Sequence, residues 1–130
     1  MTLPDRDELL DFELTDDERR LLNRGLVEWG GPAAWTDAMA IAMGFGSVRD
    51  LFDESERLLA ALRARQALSR WDWTRMLIAT EIVFASDVVG SGVEWHITTG
   101  LEDVRTLQVL RGLQRKLVKA RTPLGPRPVL

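Results

Sequence analysis

The chain has 130 residues, of which 45% are hydrophobic and 28% charged, a size and composition that predict one soluble domain spanning residues 1–130. The absence of Cys excludes disulfides, thiolate metal sites and a cysteine nucleophile. The formal net charge of −3 argues against a chain that binds nucleic acid over its whole surface.

The chain begins with an acidic segment at residues 1–14. Over residues 1–18, eight acidic side chains stand against Arg6 as the single basic one. A secretory signal would be basic and then apolar here, and no apolar run in the chain is long enough to span a bilayer, so we expect a cytoplasmic protein without a membrane segment. Helical spacing also predicts a solvated face on the first helix, formed by Asp17, Arg20, Arg24 and Glu28.

Capping signals divide the chain into helices. Thr15 with Glu18 three residues later has the spacing of a capping box, and Ser69 with Asp72 has the same spacing. Further helix starts are predicted at Thr36, Ser47 and Thr99. The predicted helices run over residues 16–29, 37–43, 48–66, 70–89 and 99–121. The pattern predicts an all-α fold, a single compact bundle of about five helices, followed by a Pro-rich tail at 122–130.

One segment resembles a DNA-binding motif. Residues 37–52 read DAMAIAMGFGSVRDLF, with small Ala residues, a Gly-Phe turn and an apolar residue seven positions after the Gly. This segment resembles the helix-turn-helix of arabinose-type bacterial activators, which implies a DNA-associated regulator that uses residues 36–57. The second helix of the segment, however, carries more acidic than basic side chains, which DNA phosphates would repel. We interpret the segment as a packing motif of two helices joined by a tight glycine turn.

The helix predicted over 70–89 is apolar around most of its circumference, which is typical of a central helix. Glu81 and Asp87 lie in this apolar surface with no cation three or four residues away. We expect Glu81 to accept a hydrogen bond from elsewhere in the fold, because an unpaired buried carboxylate is costly. The alternative is a pocket for a ligand or a substrate, lined by Glu81, Asp87, Glu94 and His96.

Residues 93–98 alternate strictly between apolar and polar, which is the period of a strand. We expect an extended segment here, with a two-stranded ribbon to residues 11–14 as the alternative. His96 in this segment is the only histidine, and the chain has neither an HExxH nor a GxSxG motif. A hydrogen-bonding or surface histidine is therefore favoured, and we predict no metal and no cofactor.

The last predicted helix is basic, since no acidic residue follows Asp103. Its expected apolar arc consists of Leu107, Leu110, Leu113 and Leu117. The charges predict that residues 1–18 dock on or near this helix, although a second copy or another macromolecule could also neutralise it. Docking within the chain disfavours, without excluding, a nucleic-acid partner.

Tryptophan is abundant, with five Trp and no Tyr. Trp29, Trp35 and Trp73 are the simplest core residues, whereas Trp71 points away from Trp73 and is a candidate for exposure. The candidate partner-binding residues are Trp71, Arg105, Arg111, Arg115, Lys116 and Lys119. We expect a non-enzymatic protein-binding or regulatory protein, a class that includes antitoxins and immunity proteins, with a protein partner or a second copy. A small enzyme or ligand-binding domain and a DNA-associated regulator are the alternatives.

Overall fold

The structure, a computed structural model, describes residues 5–30 and 36–122. In these ranges the chain forms six α-helices: α1 (Asp16–Val27), α2 (Asp37–Ala42), α3 (Val48–Arg63), α4 (Arg70–Ala85), α5 (Trp95–Thr99) and α6 (Asp103–Leu117). Short 3-10 helices cover Glu28–Gly30, Gly92–Glu94 and Val118–Ala120. The predicted all-α bundle is confirmed. Trp35 and residues 123–130 of the predicted tail lie outside the described residues.

A ribbon of two very short strands joins the N-terminal segment to the start of α4. Strand β1 (Leu9–Leu10) pairs antiparallel with β2 (Leu68–Ser69), with Leu9 opposite Ser69. None of the helices in the described ranges is both long and apolar enough to cross a membrane.

Four helices begin where the sequence predicts, because a side chain satisfies an amide that the first turn leaves unpaired. The Thr15 hydroxyl accepts a bond from the Glu18 amide at 3.1 Å, and the Glu18 carboxylate accepts one from the Thr15 amide at 2.8 Å. Thr36, Ser47 and Ser69 each accept a bond from the amide three residues on. The predicted capping chemistry is therefore present at α1 to α4.

The end of α4 differs from the prediction, which placed it near Val89. The helix ends at Ala85 because Ser86 adopts an extended conformation with ψ of 121°. The chain then folds back, and the Ser91 amide donates to the Val83 carbonyl at 2.7 Å. This return brings Ser91 into the interior.

The extended segment predicted at 93–98 is wrong, because these residues enter the 3-10 turn and α5. The buried residues are Ser91, Trp95 and Thr99, which are spaced four apart as on one face of a helix. Val93 and Ile97, which the alternating pattern directed inward, are exposed. The helical conformation buries the Trp95 ring, and the indole Nε1 donates to Thr106 Oγ1 at 3.0 Å. This burial favours the helix over an extended segment.

The start of α6 is also later than predicted. The Thr99 hydroxyl donates to the Trp95 carbonyl at 2.5 Å and accepts a bond from the Leu101 amide, so it closes α5 rather than opening α6. Gly100 follows in the left-handed region with φ of 73°, and α6 begins at Asp103.

Helix α4 is central, as predicted, and packs against both α1 and α6. At the α1 crossing, a Cβ on Gly25 would lie 2.2 Å from Thr80 Oγ1, so only glycine permits this approach. Trp29 and Trp73 are buried, as predicted. The Trp29 indole donates to the Ala79 carbonyl at 3.1 Å.

Two residues differ from the prediction in their burial. Glu28, expected on the solvated face of α1, is buried and accepts a bond from the Ser91 hydroxyl at 3.1 Å. Leu107, expected in the inner arc of α6, is 45% exposed, and Thr106 takes the inner position beside Trp95.

Candidate partner-binding site

The four residues of the proposed pocket do not form one group. Glu81 is half-buried and accepts a bond from Gln114 Nε2 at 2.5 Å, which supplies the tertiary donor expected for it. Asp87, Glu94 and His96 are exposed, and Asp87 accepts a bond from a backbone amide of the loop that follows. Among the described residues, no set of three or more acidic, His or Cys side chains is placed to hold a metal ion.

Trp71 lies apart from the basic helix with which it was grouped. Its ring is half-buried, and the Arg6 guanidinium carbon lies 3.8 Å from the ring centroid. On another side a Cβ on Gly44 would lie 2.8 Å from ring atom Cζ2. The ring therefore packs the N-terminal segment and the α2–α3 turn onto α4.

The segment that resembles a helix-turn-helix forms α2 and α3, which are joined by the turn that contains Gly44. Gly44 has φ of 100°, a conformation that side-chain-bearing residues rarely adopt. On α3, Arg49 pairs with Asp53 at 3.9 Å, and Arg57 donates to both Glu54 and Asp72. Both basic residues that the resemblance offers to phosphate are thus paired with carboxylates, in keeping with a packing motif.

The sequence reasoning missed a partly buried ion-pair cluster between α3 and α4, in which Asp72 and Arg75 are buried and Arg57 is exposed. Asp72 Oδ1 accepts bonds from Arg57 Nη2 at 2.7 Å and Arg75 Nη2 at 2.8 Å. Burial alone raises the pKa of Asp72, but the two guanidinium groups outweigh it and hold that pKa below its ordinary value of 3.8. Hydrogen bonds from Arg57 and Arg75 also lower the pKa of Glu54. The spacing of Asp72 and Arg75 on one helix was the signal that could have indicated this cluster.

The side of α6 that faces α1 is neutralised by the acidic N-terminal region, as predicted. Arg105 Nη2 lies 2.6 Å from Asp17 Oδ2, and Lys116 Nζ lies 2.5 Å from Glu18 Oε1. Lys116 also donates to the Glu13 carbonyl at 3.0 Å. Burial raises the pKa of Glu18, but the bonds from Lys116 and Thr15 outweigh it, so the net pKa is lowered.

The side of α6 that is turned away from the core remains open, and we call it the outer face. It consists of Val104, Leu107, Arg111 and Arg115, together with Val118 and Lys119 of the 3-10 helix that directly continues α6. Three of these residues are aliphatic and 72%, 45% and 52% exposed, in chain order. The other three are exposed cations that form no ion pair within residues 5–30 and 36–122.

A hydrogen-bond chain links the cation in the middle of the outer face to α4. Arg111 Nη1 donates to Gln114 Oε1 at 2.8 Å, and Gln114 Nε2 in turn donates to Glu81 on α4. The guanidinium is therefore held at one nitrogen while its other N–H groups point away from that bond. The arrangement presents a positioned donor set between aliphatic side chains.

A cleft of about 720 Å³ extends the outer face toward the N-terminal segment. The extended residues 11–15 form one wall, and Arg115, Lys116 and Lys119 form the other. Arg115 and Lys119 belong to both the cleft and the outer face, so the open cations of α6 form one continuous surface. The sequence predicted these cations but not which of them remain open.

Comparisons with known proteins add no information about this surface. No family model, no curated protein and no solved structure matches the chain. A role for the outer face is therefore inferred from its chemistry alone.

Proposed function

We propose that the protein is a non-enzymatic, cytoplasmic protein-binding or regulatory protein that acts through the outer face of α6. The observation that supports this function is the combination of exposed aliphatic side chains with open cations on one helix face. Arginine is enriched at protein interfaces, where aliphatic side chains supply the buried apolar area. Small antitoxins and immunity proteins belong to this functional class.

The charge of the outer face favours a different protein over a second copy of this chain. A two-fold symmetric contact places the same patch on both subunits, so the interface would contain two copies of Arg111, Arg115 and Lys119, with Arg111 nearest to its own equivalent. Such like-charge contacts are unfavourable at an interface. A partner that carries carboxylates meets the same surface with complementary charge.

Neither a catalytic or ligand pocket nor DNA binding through residues 36–57 has a specific observation in its favour, whereas DNA binding through the basic last helix would use the same open cations and is tested below with a duplex probe. The residues suggested for a catalytic or ligand pocket are dispersed, with Glu81 engaged by Gln114 and His96 exposed. The basic residues suggested for DNA binding on α3 are engaged by carboxylates.

The test is site-specific photo-crosslinking in the cells that make the protein. A crosslinking amino acid replaces Gln108, an exposed neighbour of the outer face, and a matched one replaces the exposed Ala60 on α3. A protein captured at position 108 and not at 60 is then purified, and its Kd for the wild-type chain is measured.

The Kd comparison uses two exposed aliphatic residues on different helices. Leu107→Asp should weaken binding by about tenfold or more, because it removes buried apolar area and adds a repulsive group at the interface. Ile41→Asp, at a residue 59% exposed on α2, should leave binding unchanged. Equal Kd values for both variants, or no protein captured specifically at position 108, would contradict the proposed function.

A further inference from the structure

The outer face, together with the half-buried Gln114 beside it, contains residues with the spacing of a coiled-coil seam. Val104, Leu107, Arg111, Gln114 and Val118 succeed one another at intervals of three, four, three and four residues. This is the a/d spacing by which one helix packs along another. Along this seam, aliphatic residues lie at both ends and polar residues lie in the middle.

We propose that the partner element is an acidic amphipathic α-helix that lies along α6 and places carboxylates opposite Arg111 and Arg115. This inference rests on the proposed function and specifies its partner. From Val104 to Val118 the seam measures roughly 21 Å at 1.5 Å per residue, which matches a partner helix of about four turns.

The fixed guanidinium of Arg111 favours a carboxylate in the central layer. One nitrogen donates to Gln114 at 2.8 Å, and Gln114 donates to Glu81, so this chain of bonds favours one orientation of Arg111 before a partner arrives. The remaining N–H groups can donate to a carboxylate, which gives stronger and more directional bonds than a neutral acceptor. A pre-positioned group loses less entropy on binding.

The surroundings of the outer face favour a narrow partner over a broad anionic surface. Asp11 and Glu13 line the adjoining cleft, and Glu102 and Asp103 are exposed at the start of α6. A lipid bilayer or a DNA duplex would bring phosphates toward these carboxylates as well as toward the cations. A single helix about 10 Å across covers less of this surrounding surface than a bilayer or a duplex does, so it meets fewer of these carboxylates.

The experiment selects partner helices without assuming a natural sequence. A display library of helices on a neutral scaffold, randomised along one face, is selected against the intact wild-type protein and counter-selected against Leu107→Asp. The expected consensus has Asp or Glu in the central layer with apolar residues on both sides. A consensus without acidic enrichment, or no helix that survives selection, would overturn the inference.

Charge reversal then tests the contact itself. For a selected helix, Arg111→Glu and, separately, Arg115→Glu should each raise Kd by about tenfold or more, and Lys in place of the helix carboxylate should restore binding. Arg63→Glu, at an exposed residue of α3, is the matched control and should leave Kd unchanged. Equal effects of all three variants would refute a specific contact. Melting curves establish that each variant is folded.

Two further probes separate the other classes of anionic partner. Vesicles of phosphatidylcholine with phosphatidylserine and a duplex DNA oligonucleotide are tested with the same variants. If the wild type binds either probe, Arg111→Glu loses this binding and the library yields no helix, the inference is overturned. The outer face would then be a lipid-binding or nucleic-acid-binding surface. A crosslinked partner that binds the outer face through a non-helical or uncharged element would overturn the inference while leaving the proposed function intact.

Discussion

The two sides of α6 carry similar charges but differ in what neutralises them. Toward α1, Arg105 and Lys116 are paired with Asp17 and Glu18, and the acidic segment of the chain is the complement. On the outer face the cations form no ion pair within the described residues, and Asp11 and Glu13 only line the cleft next to Arg115 and Lys119. This difference shows that a stretch of basic residues indicates a binding surface only where the acidic residues of the same fold leave its cations unpaired.

The same contrast applies to the aliphatic residues of α6 and gives the largest expected effect. Leu113 is fully buried, whereas Leu107 is 45% exposed on the outer face. Leu113→Ala should lower the free energy of unfolding by about 2–5 kcal/mol, because it removes packing and leaves a cavity. Leu107→Ala should change it by no more than about 0.5 kcal/mol. Urea denaturation measures both, and a similar loss in the two variants would show that Leu107 is a core residue.

A second pair of variants compares the two carboxylates that reach α6 from α1. Glu18 is buried, accepts a bond from the Thr15 amide and pairs with Lys116. Glu18→Ala should therefore lower the free energy of unfolding by about 1–3 kcal/mol. The Asp17 side chain is 54% exposed in its pair with Arg105, so Asp17→Ala should cost no more than about 1 kcal/mol. Equal costs in denaturant melts would contradict the distinction between the two pairs.

The paired side of α6 should also make stability depend on acid. Because the pKa of Glu18 in the folded protein lies below its ordinary value of 4.5, the unfolded chain takes up this proton first as the pH falls. The stabilisation by Glu18 is therefore present above pH 4.5 and is lost as the pH falls below it. The unfolding free energies of wild type and Glu18→Gln should therefore converge as the pH falls below 4.5. Leu107→Ala, which changes no titratable group, is the control and should run parallel to wild type.

The helix starts could be predicted because their chemistry is local. Each cap joins a side chain to an amide only three residues away, as Thr15 does with Glu18. The region after α4 could not be predicted in the same way. The position of Trp95 depends on its hydrogen bond to Thr106 and on packing in the core. The buried Glu28 accepts a hydrogen bond from Ser91, which is distant in sequence. Apolar alternation over six residues fits a strand as well as a helix whose outward side is apolar.

The candidate site was predictable in its charge but not in its geometry. The basic residues of α6 and their attraction to the acidic segment follow from composition and helical spacing. Which cations stay open depends on where α1 lies, and this is a property of the whole fold. The sequence also directed Leu107 inward, although Thr106 takes that position so that its hydroxyl can accept the Trp95 indole bond.

The smallest expected effect concerns Gln114, which touches both the interior and the outer face. Gln114→Ala removes the bond that orients Arg111 and should weaken binding of an acidic helix by about two- to tenfold, the cost of ordering one long side chain. In an Arg111→Ala background the same substitution should have a smaller effect, because the group that Gln114 positions is gone and only the place of Gln114 in the seam remains. A double-mutant cycle of Kd values measures this coupling. An equal loss in both backgrounds would mean that Gln114 acts only through its own contact in the seam and does not position Arg111.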